Sequence, residues 1–355
     1  MGECRCLCTY GYIGVWSLAD LCATAMAHDA DGSAADYVGI DVGEGCAVMQ
    51  MAEKPLVGIG IMTYGRPAGL ARMIDCLKAQ TYKNLVVFIC DNASPDAETQ
   101  VIGKAAETGD RRFRYVRHAT NLGMSGNFKA AYDLGCEAGV EYFLWASDDD
   151  WFAPEYVEHC LDLLKENPLA EAAIPTPYMG NNDGVNVLNY PGFARFTNVG
   201  LRGWKRRWYL WRFLCEPIVK AKGTLPYLLF RRASMERMMA RYTPRQLNTW
   251  GGDIALLYGY LKDFDVVGSD RVLMEKNYPT KRTWMWFPLA WSYQPLPRHI
   301  KELKDALLVV ADTPAERMQV RLYVAGLWVF WGTVGYPAKA ISLTLRVLAD
   351  KFRGH

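Results

Sequence analysis

The segment YFLWASDDD, residues 142–150, joins a run of five apolar residues to three consecutive aspartates. An apolar run of this length, followed by polar residues, is typical of a buried β-strand. The three carboxylates then lie at the carboxyl end of a strand, which is where open parallel sheets bind their ligands. Because like charges at this spacing repel one another, a divalent cation would stabilise them, and aspartate oxygens suit Mg²⁺ or Mn²⁺.

A second interpretation of the acidic triplet, Asp148, Asp149 and Asp150, needs no metal. Asp150 is placed to cap a helix that begins near Pro154, and three negative charges would interact favourably with the dipole of that helix. Short acidic clusters also occur in many proteins that bind no metal. The triplet alone therefore does not decide between a metal site and a helix cap.

On both sides of the triplet, short apolar runs alternate with helical patterns. This alternation is typical of parallel strands connected by helices, and it predicts an α/β fold with a mostly parallel sheet flanked by helices. The predicted strands are 56–63, 85–91, 113–117, 142–147 and about 172–175, and the predicted helices are 67–79, about 127–138 and 154–166. Polar residues follow three of these strands at the edge where such sheets bind ligands: 63–66, 91–94 and 147–150.

The chain beyond residue 178 is less regular. A strand is predicted at 225–230, a helix from 233, and another strand at 264–267. The basic aromatic stretch at 204–212 is either a helix with a buried stripe or a surface for a lipid diphosphate or anionic headgroups. Asp253 follows a glycine turn in the first turn of a predicted helix, so it is either a reactive carboxylate or an acid that stabilises the helix N-terminus.

The composition is that of a large folded protein. The chain has 355 residues, of which 51% are hydrophobic and 22% are charged, and its formal net charge is +2. This balance argues against a generic nucleic-acid-binding protein. The cysteines after residue 53 are scattered singly through apolar elements, which indicates reduced thiols in a cytoplasmic protein. Residues 1–53 lack a comparable pattern and are interpreted as a dispensable, poorly ordered N-terminal extension.

The C-terminal region, residues 281–355, is rich in aromatic residues and is predicted to be helical. Its longest apolar run is shorter than the ~20 residues that span a bilayer, so no transmembrane helix is predicted. Residues 341–352 form an amphipathic pattern with apolar residues on one side, and the same helix carries the charged residues Arg346, Asp350 and Lys351. This helix either packs on the main domain or lies on the inner face of the cell membrane.

Five motifs in order make residues 55–179 similar to family 2 glycosyltransferases of the GT-A (Rossmann-like) fold, particularly the bacterial members that build surface polysaccharides such as O-antigen. The motifs are Thr63-Tyr64-x-Arg66-Pro67, QTYKNL at 80–85, Asp91-Asn92-Ala93-Ser94-x-Asp96, Asn121-Leu122-Gly123, and the acidic triplet followed by Pro154. The resemblance implies a catalytic domain over 54–280. Its nucleotide-binding half is 54–179, and its acceptor half is 180–280.

The resemblance also implies the positions of a nucleotide site and a metal site. Its implied nucleotide-binding residues are Thr63, Tyr64, Arg66, Asp91, Asn92, Asn121 and Asp148. Asp149 is implied as the main ligand of Mg²⁺ or Mn²⁺, with Asp148 and Asp150 assisting. Many relatives have an acid where this chain has Asn92. The resemblance therefore leaves the nucleobase of the donor undetermined, and the donor is a UDP-, dTDP- or GDP-sugar.

The implied activity is inverting transfer of a sugar from a nucleotide-diphosphate sugar to a hydroxyl of a glycan or lipid-linked glycan. Asp253 falls where inverting members place the general base. It would take the proton of the attacking hydroxyl while the metal neutralises the departing diphosphate. Two alternatives stay open, namely a sugar-phosphate nucleotidyltransferase and a catalytically silent nucleotide-sugar-binding or scaffold protein. The first of these would need a Gly-rich, basic loop after the first strand, and no such loop is visible.

Overall fold

The computed structural model describes residues 37–42, 46–51, 54–180, 192–216, 226–243, 251–277 and 296–330, and the single positions 246 and 333. The chain divides into two units, residues 1–54 and 55–355. In the first unit, strand β1 (Tyr37–Val42) pairs in antiparallel orientation with strand β2 (Cys46–Met51). Residues 1–36, which belong to the predicted N-terminal extension, lie outside the described residues.

The first half of the second unit alternates strand and helix. Its elements are β3 (Val57–Thr63), α1 (Pro67–Lys78), β4 (Leu85–Asp91), α2 (Ala97–Gly109), β5 (Phe113–Arg117), α3 (Gly123–Glu137) and β6 (Tyr142–Ser147). Strand β3 is buried along its whole length. Helix α3 packs closely against it, because a Cβ atom at Gly60 would lie 2.7 Å from the Cβ of Ala131.

The second half of this unit continues the sheet and adds helices. Its elements are β7 (Trp151–Phe152), α4 (Tyr156–Glu166), β8 (Ala170–Gly180), a 3₁₀ turn (Phe193–Phe196), α5 (Gly203–Cys215), β9 (Leu229–Arg231), α6 (Arg232–Met239), α7 (Gly252–Asp263), β10 (Asp265–Asn277), α8 (Leu296–Val310) and α9 (Pro314–Phe330). The predicted helix at 341–352 lies outside the described residues. Within the described part of the chain, no helix has the length and apolar character needed to cross a membrane.

The sheet of the second unit has eight strands in the order β5-β4-β3-β6-β9-β8-β10-β7. Neighbouring strands are parallel except where β9 and β7 pair with their neighbours. The predicted α/β fold with a mostly parallel sheet is therefore confirmed. The register sets Thr63 of β3 beside Asp91 of β4, and Met62 beside Ser147 of β6. The polar residues that follow these three strands consequently meet at one edge of the sheet.

Apolar side chains are buried on both faces of the sheet. On one face, α3, α5, α6, α7, α8 and α9 contribute to a single core cluster. On the other face, α1, α2 and α4 contribute to a second cluster. Three layers of this kind bury the central strands β3, β4 and β6 almost completely, which explains why these strands are largely apolar runs in the sequence.

Helix α2 is absent from the elements that the sequence pattern predicts. Its buried residues are small, namely Thr99, Gly103 and Ala106, so it shows no stripe of large apolar residues. Its start does carry a capping signal, because the side chain of Asp96 accepts a hydrogen bond from the backbone N–H of Thr99 at 2.7 Å. Aspartate at this position satisfies a donor that the first helical turn leaves without a partner.

Candidate functional site

Four of the predicted site residues share one hydrogen-bonded cluster at the carboxyl ends of β3 and β6. The Thr63 hydroxyl donates to Asp148 Oδ2 at 2.8 Å. The Arg66 Nη1 atom lies 3.1 Å from Asp148 Oδ1 and 3.0 Å from Asp149 Oδ2. Because one nitrogen contacts both carboxylates, these two aspartates can interact with a single cation. We call Thr63, Arg66, Asp148 and Asp149 the carboxylate cluster.

The members of the carboxylate cluster differ in their access to solvent. The side chain of Asp148 is 3% exposed, that of Asp149 is 30% exposed, and that of Arg66 is 57% exposed. Burial raises the pKa of Asp148, although the hydrogen bond from Thr63 and the charge of Arg66 oppose that shift. Asp149 also accepts a hydrogen bond from the Ser147 hydroxyl. Asp148 therefore forms the inner wall of the cluster, and Asp149 is the carboxylate that a ligand can reach.

Asp150 has different partners from the other two aspartates. Its side chain is fully buried, and its two oxygens lie 2.9 Å and 3.1 Å from Nζ of Lys276. Lys276 in turn donates to the Tyr227 hydroxyl at 2.9 Å. Burial raises the pKa of Asp150 to about 6, although the charge of Lys276 limits the shift. Asp150 thus links the acidic segment to the end of β10, and its predicted role as a metal ligand stays a prediction.

The loop that follows β4 contributes the next group of predicted residues. Asp91 is fully buried and accepts hydrogen bonds from the Ser94 backbone at 2.8 Å, from the Tyr115 hydroxyl at 2.6 Å and from Arg117 Nη1 at 2.6 Å. Burial alone would raise the pKa of Asp91, but these hydrogen bonds outweigh it and the pKa is lowered. Asp91 is therefore charged and holds the loop in place.

Asn92 connects this loop to the one before α3. Its amide nitrogen donates to Asn121 Oδ1 at 3.0 Å, and its Oδ1 accepts from the backbone N–H of Leu122 at 2.8 Å. Its own backbone N–H donates to the carbonyl oxygen of Thr63 at 3.0 Å. The structure therefore brings together the loops that carry Thr63, Asn92 and Asn121, as the sequence predicts.

The backbone between these loops is strained at one position. Ala93 has φ of 61°. Among the residues that the structure describes, it is the one non-glycine residue in this left-handed conformation. Such a conformation costs an alanine about 1–2 kcal/mol, and strain of this kind is found preferentially at ligand sites. Tyr64, which lies in the facing loop, is 51% exposed and is available for contact with a ligand.

Asp253 lies in the first turn of α7, where the sequence places it, and its side chain is exposed. Gly251 lies two residues before Asp253, and its φ of 76° is a conformation that favours glycine. At the other end of the helix, the Tyr260 hydroxyl donates to the carbonyl oxygen of Glu171 at 3.2 Å, near the start of β8. The C-terminal end of α7 thus lies at the amino end of β8, and Asp253 lies at the opposite end of the helix.

The acidic triplet can be tested as a metal site from its own geometry. Among the side chains that the structure describes, no group of three or more His, Cys, Asp or Glu residues is arranged to hold a metal ion. Asp148 and Asp149 nevertheless share the cationic nitrogen of Arg66. Two carboxylates fit an Mg²⁺ or Mn²⁺ site in which substrate phosphates and water complete the coordination. The pair Asp148 and Asp149 therefore fits a divalent ion, while the Asp150 carboxylate is paired with Lys276 in this structure.

Several contacts of the site involve residues that the sequence pattern does not single out. Arg72 of α1 donates to the backbone oxygen of Asp149 at 3.0 Å. Arg117 is the last residue of β5, so its position at the end of a predicted strand was a usable signal that it belongs to the site. Lys276 and Tyr227 come from distant parts of the chain, and no local pattern connects them with Asp150.

A family model described as "Glycosyl transferase family 2" matches residues 59–237, which is half of the chain. The chain is 31% identical over 117 residues to an uncharacterized glycosyltransferase of Rickettsia typhi, a match that covers 33% of this chain and 34% of that protein. It is 32% identical over 146 residues to the chondroitin synthase of Pasteurella multocida, covering 40% of this chain and 14% of that protein. The matched region thus spans about a third or less of the length of these relatives.

Solved structures resemble the fold. The structure of S. aureus TarS 1-349 in complex with UDP superposes with a TM-score of 0.53 at 16% identity, covering 79% of this chain and 72% of that one. The same protein in complex with UDP-GlcNAc gives a TM-score of 0.52 at 13% identity, covering 78% of this chain and 73% of that one. At this level of identity the likeness establishes the fold, and it confirms the predicted GT-A architecture.

Proposed function

The chain belongs to glycosyl transferase family 2, and from this membership and the geometry of the carboxylate cluster we propose that it transfers a sugar from a nucleotide-diphosphate sugar to a hydroxyl group. The observation that carries the proposal is the meeting of Thr63, Arg66, Asp148 and Asp149 at the carboxyl ends of adjacent parallel strands. Open α/β sheets bind nucleotides at this edge.

The loops beside the cluster are proposed to bind the nucleotide part of the donor. The exposed ring of Tyr64 is available to stack on the base, and the Asn92–Asn121 pair presents amide groups to the base or ribose. Asp91 is proposed to act by holding this loop, because its oxygens already accept three hydrogen bonds within the protein. Because a solved structure of TarS contains UDP, UDP is the first nucleotide to test.

Asp149, assisted by Asp148, is proposed to hold an Mg²⁺ or Mn²⁺ ion. Such an ion would supply the positive charge that stabilises the departing nucleotide diphosphate. In the structure Arg66 already provides one positive charge to both carboxylates. Because the Arg66 side chain is 57% exposed, it can move from the carboxylates to a phosphate group of the donor.

Asp253 is proposed to be the general base. Its exposed side chain is able to accept the proton of an acceptor hydroxyl, and attack opposite the leaving group would invert the anomeric carbon. The proposed acceptor is a glycan or a lipid-linked glycan. Since a lipid-linked acceptor lies at a membrane, we also propose that the protein contacts the membrane peripherally.

The first experiment is a calorimetric titration of the full chain with UDP, dTDP and GDP, with and without Mn²⁺. Mn²⁺-dependent binding of one of these nucleotides is expected. The Asp149→Ala variant should lose the Mn²⁺-dependent part of this binding, because Asp149 is the accessible carboxylate. The matched control is Asp133→Ala on α3, an exposed aspartate that pairs only with the neighbouring Lys129 among the described contacts. Binding by Asp149→Ala that is equal to that of Asp133→Ala would exclude the proposed metal role.

The second experiment separates binding from chemistry. Asp253→Asn should bind the nucleotide as the wild type does, while transfer of the sugar from the matching nucleotide sugar to water, which stands in for the acceptor hydroxyl, falls by roughly 10²–10⁴-fold. Asp305→Asn, at an exposed position of α8, is the control. Nucleotide binding without any sugar release by the wild type would indicate a silent binding protein instead of a transferase.

A further inference from the structure

Helix α5 has apolar residues on two opposite faces, and only one of them faces the core. Its buried stripe consists of Arg206, Tyr209, Leu210, Phe213 and Leu214. On the opposite face, Trp204 is 67% exposed and Trp208 is 58% exposed, and Trp211 follows at helical spacing. Large exposed aromatic residues that share a helix face mark an interaction surface more often than isolated ones do.

Helix α9 repeats this arrangement. Val320 and Val324 are buried in the core, whereas Met318, Leu322 and Val329 are 53%, 56% and 65% exposed. The exposed residues recur at positions that share one side of a helix. This helix therefore also presents an apolar face to solvent.

The two helices lie side by side on the same core. The Gln319 side chain of α9 donates to the backbone oxygen of Arg207 in α5 at 3.1 Å. The buried stripes of both helices belong to one core cluster, so their exposed faces both point away from it. We call the combined exposed surface the α5–α9 face. It comprises the exposed residues Trp204, Trp208, Met318, Leu322 and Val329, with the half-buried Trp211 beside them.

Basic residues surround the aromatic and aliphatic residues of the α5–α9 face. The exposed basic residues on the two helices are Lys205, Arg207, Arg212, Arg317 and Arg321. Helix α5 contains no acidic residue. The acidic residue of α9, Glu316, is nearly buried and accepts hydrogen bonds from the backbone N–H groups of Asp312 and Thr313. The surface therefore combines exposed apolar side chains with several positive charges, one of which, Arg207, lies where the two helices meet.

From this chemistry we infer that the α5–α9 face binds the surface of an anionic phospholipid bilayer. Tryptophan side chains are stable at the boundary between headgroups and acyl chains, and lysine and arginine interact with the phosphate groups. A second copy of the chain is a poorer occupant. A symmetric contact through the same face would bring the basic residues of the two copies together, and like charges repel.

The role that we assign to the α5–α9 face rests on the proposed function, because a lipid-linked acceptor would lie in the bilayer that the face contacts. Binding to the bilayer itself is independent of sugar transfer. The two proposals can therefore fail separately, and nucleotide binding measured in solution tells them apart.

The test is co-sedimentation of the full chain with vesicles that contain phosphatidylglycerol, and with vesicles of phosphatidylcholine alone. The wild type should bind the anionic vesicles, and the binding should weaken as salt is added. The Lys205→Gln/Arg212→Gln variant should bind roughly fivefold more weakly for each basic residue removed. The Trp204→Ala/Trp208→Ala variant should bind at least about tenfold more weakly. Leu322→Glu on α9 is an independent third variant, since its exposed side chain can change without disturbing the core.

A matched control is available on α2, where Val101 is 65% exposed and Lys104 is also exposed. Val101→Ala/Lys104→Gln should bind vesicles as the wild type does, and all variants should bind nucleotide diphosphates normally. The inference is wrong if the wild type does not bind anionic vesicles, or if the three α5–α9 variants bind as well as the control. It is also wrong if the Trp204→Ala/Trp208→Ala change converts a dimer into a monomer in sedimentation velocity, because the face would then join two copies.

Discussion

The change Gly69→Ala tests how helix α1 positions the acidic segment. Gly69 lies in the first turn of α1, and a Cβ atom there would lie 2.2 Å from the backbone oxygen of Asp148. Contacts of a Cβ atom closer than 3.0 Å are essentially never seen in proteins, so the helix and the backbone of Asp148 have to separate by at least 0.8 Å. In an open position the same change would favour the helix by about 1 kcal/mol.

The separation is large compared with the hydrogen bonds of the cluster. The distance from Thr63 Oγ1 to Asp148 Oδ2 is 2.8 Å, and a movement of Asp148 away from Thr63 by the full 0.8 Å would give about 3.6 Å, at which no hydrogen bond remains. Loss of a hydrogen bond to a charged group costs about 1.5–3 kcal/mol. After subtraction of the gain in helix propensity, Gly69→Ala should lower the free energy of unfolding by about 0.5–2 kcal/mol.

The assay is urea denaturation, combined with titration by the nucleotide diphosphate that the wild type binds. The control is Gly109→Ala at the end of α2, where an added Cβ atom meets no other atom within 4 Å. That variant should be as stable as the wild type or slightly more stable. If Gly69→Ala matched Gly109→Ala in stability and kept wild-type nucleotide affinity, close packing of α1 on Asp148 would not be what positions the cluster.

Two further changes test the buried charges. Because the pKa of Asp150 is raised to about 6 from an ordinary value of 3.8, the folded state gains stability from this group as the pH falls towards 4 and loses it as the pH rises through 6. Asp150→Asn should remove this slope from the free energy of unfolding measured between pH 4 and 7. Asp265→Ala should cost about 3–5 kcal/mol in urea denaturation, since it leaves the buried guanidinium of Arg206 without its carboxylate. An unchanged pH slope, or a loss below 1 kcal/mol, would contradict the respective prediction.

The sequence predicts the first half of the sheet well, and the reason lies in its burial. Strands β4 and β5 begin and end where the pattern places them, and β3 and β6 agree within one residue. Strands β3, β4 and β6 are covered by helices, so each is a largely apolar run with a polar residue at its end. Strand β5 lies at the edge of the sheet and carries an exposed Arg114. Helix α2 was missed because it buries small residues, which give no apolar stripe.

The candidate site is predictable to the extent that its residues follow the strands. Thr63, Asp91 and Asp148 meet because their strands are neighbours in a parallel sheet, which the pattern already implies. Lys276 could not be identified in the same way. It approaches Asp150 through the antiparallel pairing of β10 with β7, which joins Met274 to Phe152 across more than 100 residues of sequence. No local pattern contains that pairing.

The three consecutive aspartates are divided between two cations of different mobility. Lys276 is 17% exposed and neutralises a fully buried carboxylate, so it is fixed in the fold and unavailable to a ligand. Arg66 is 57% exposed and bridges Asp148 and Asp149, so it can leave them at little cost in desolvation. If a divalent ion binds with a diphosphate as proposed, Arg66 is the cation that it would displace from the two carboxylates, and the guanidinium would then be free to pair with the phosphates. The same division explains why Asp150 is fixed within the fold while Asp149 remains accessible to solvent.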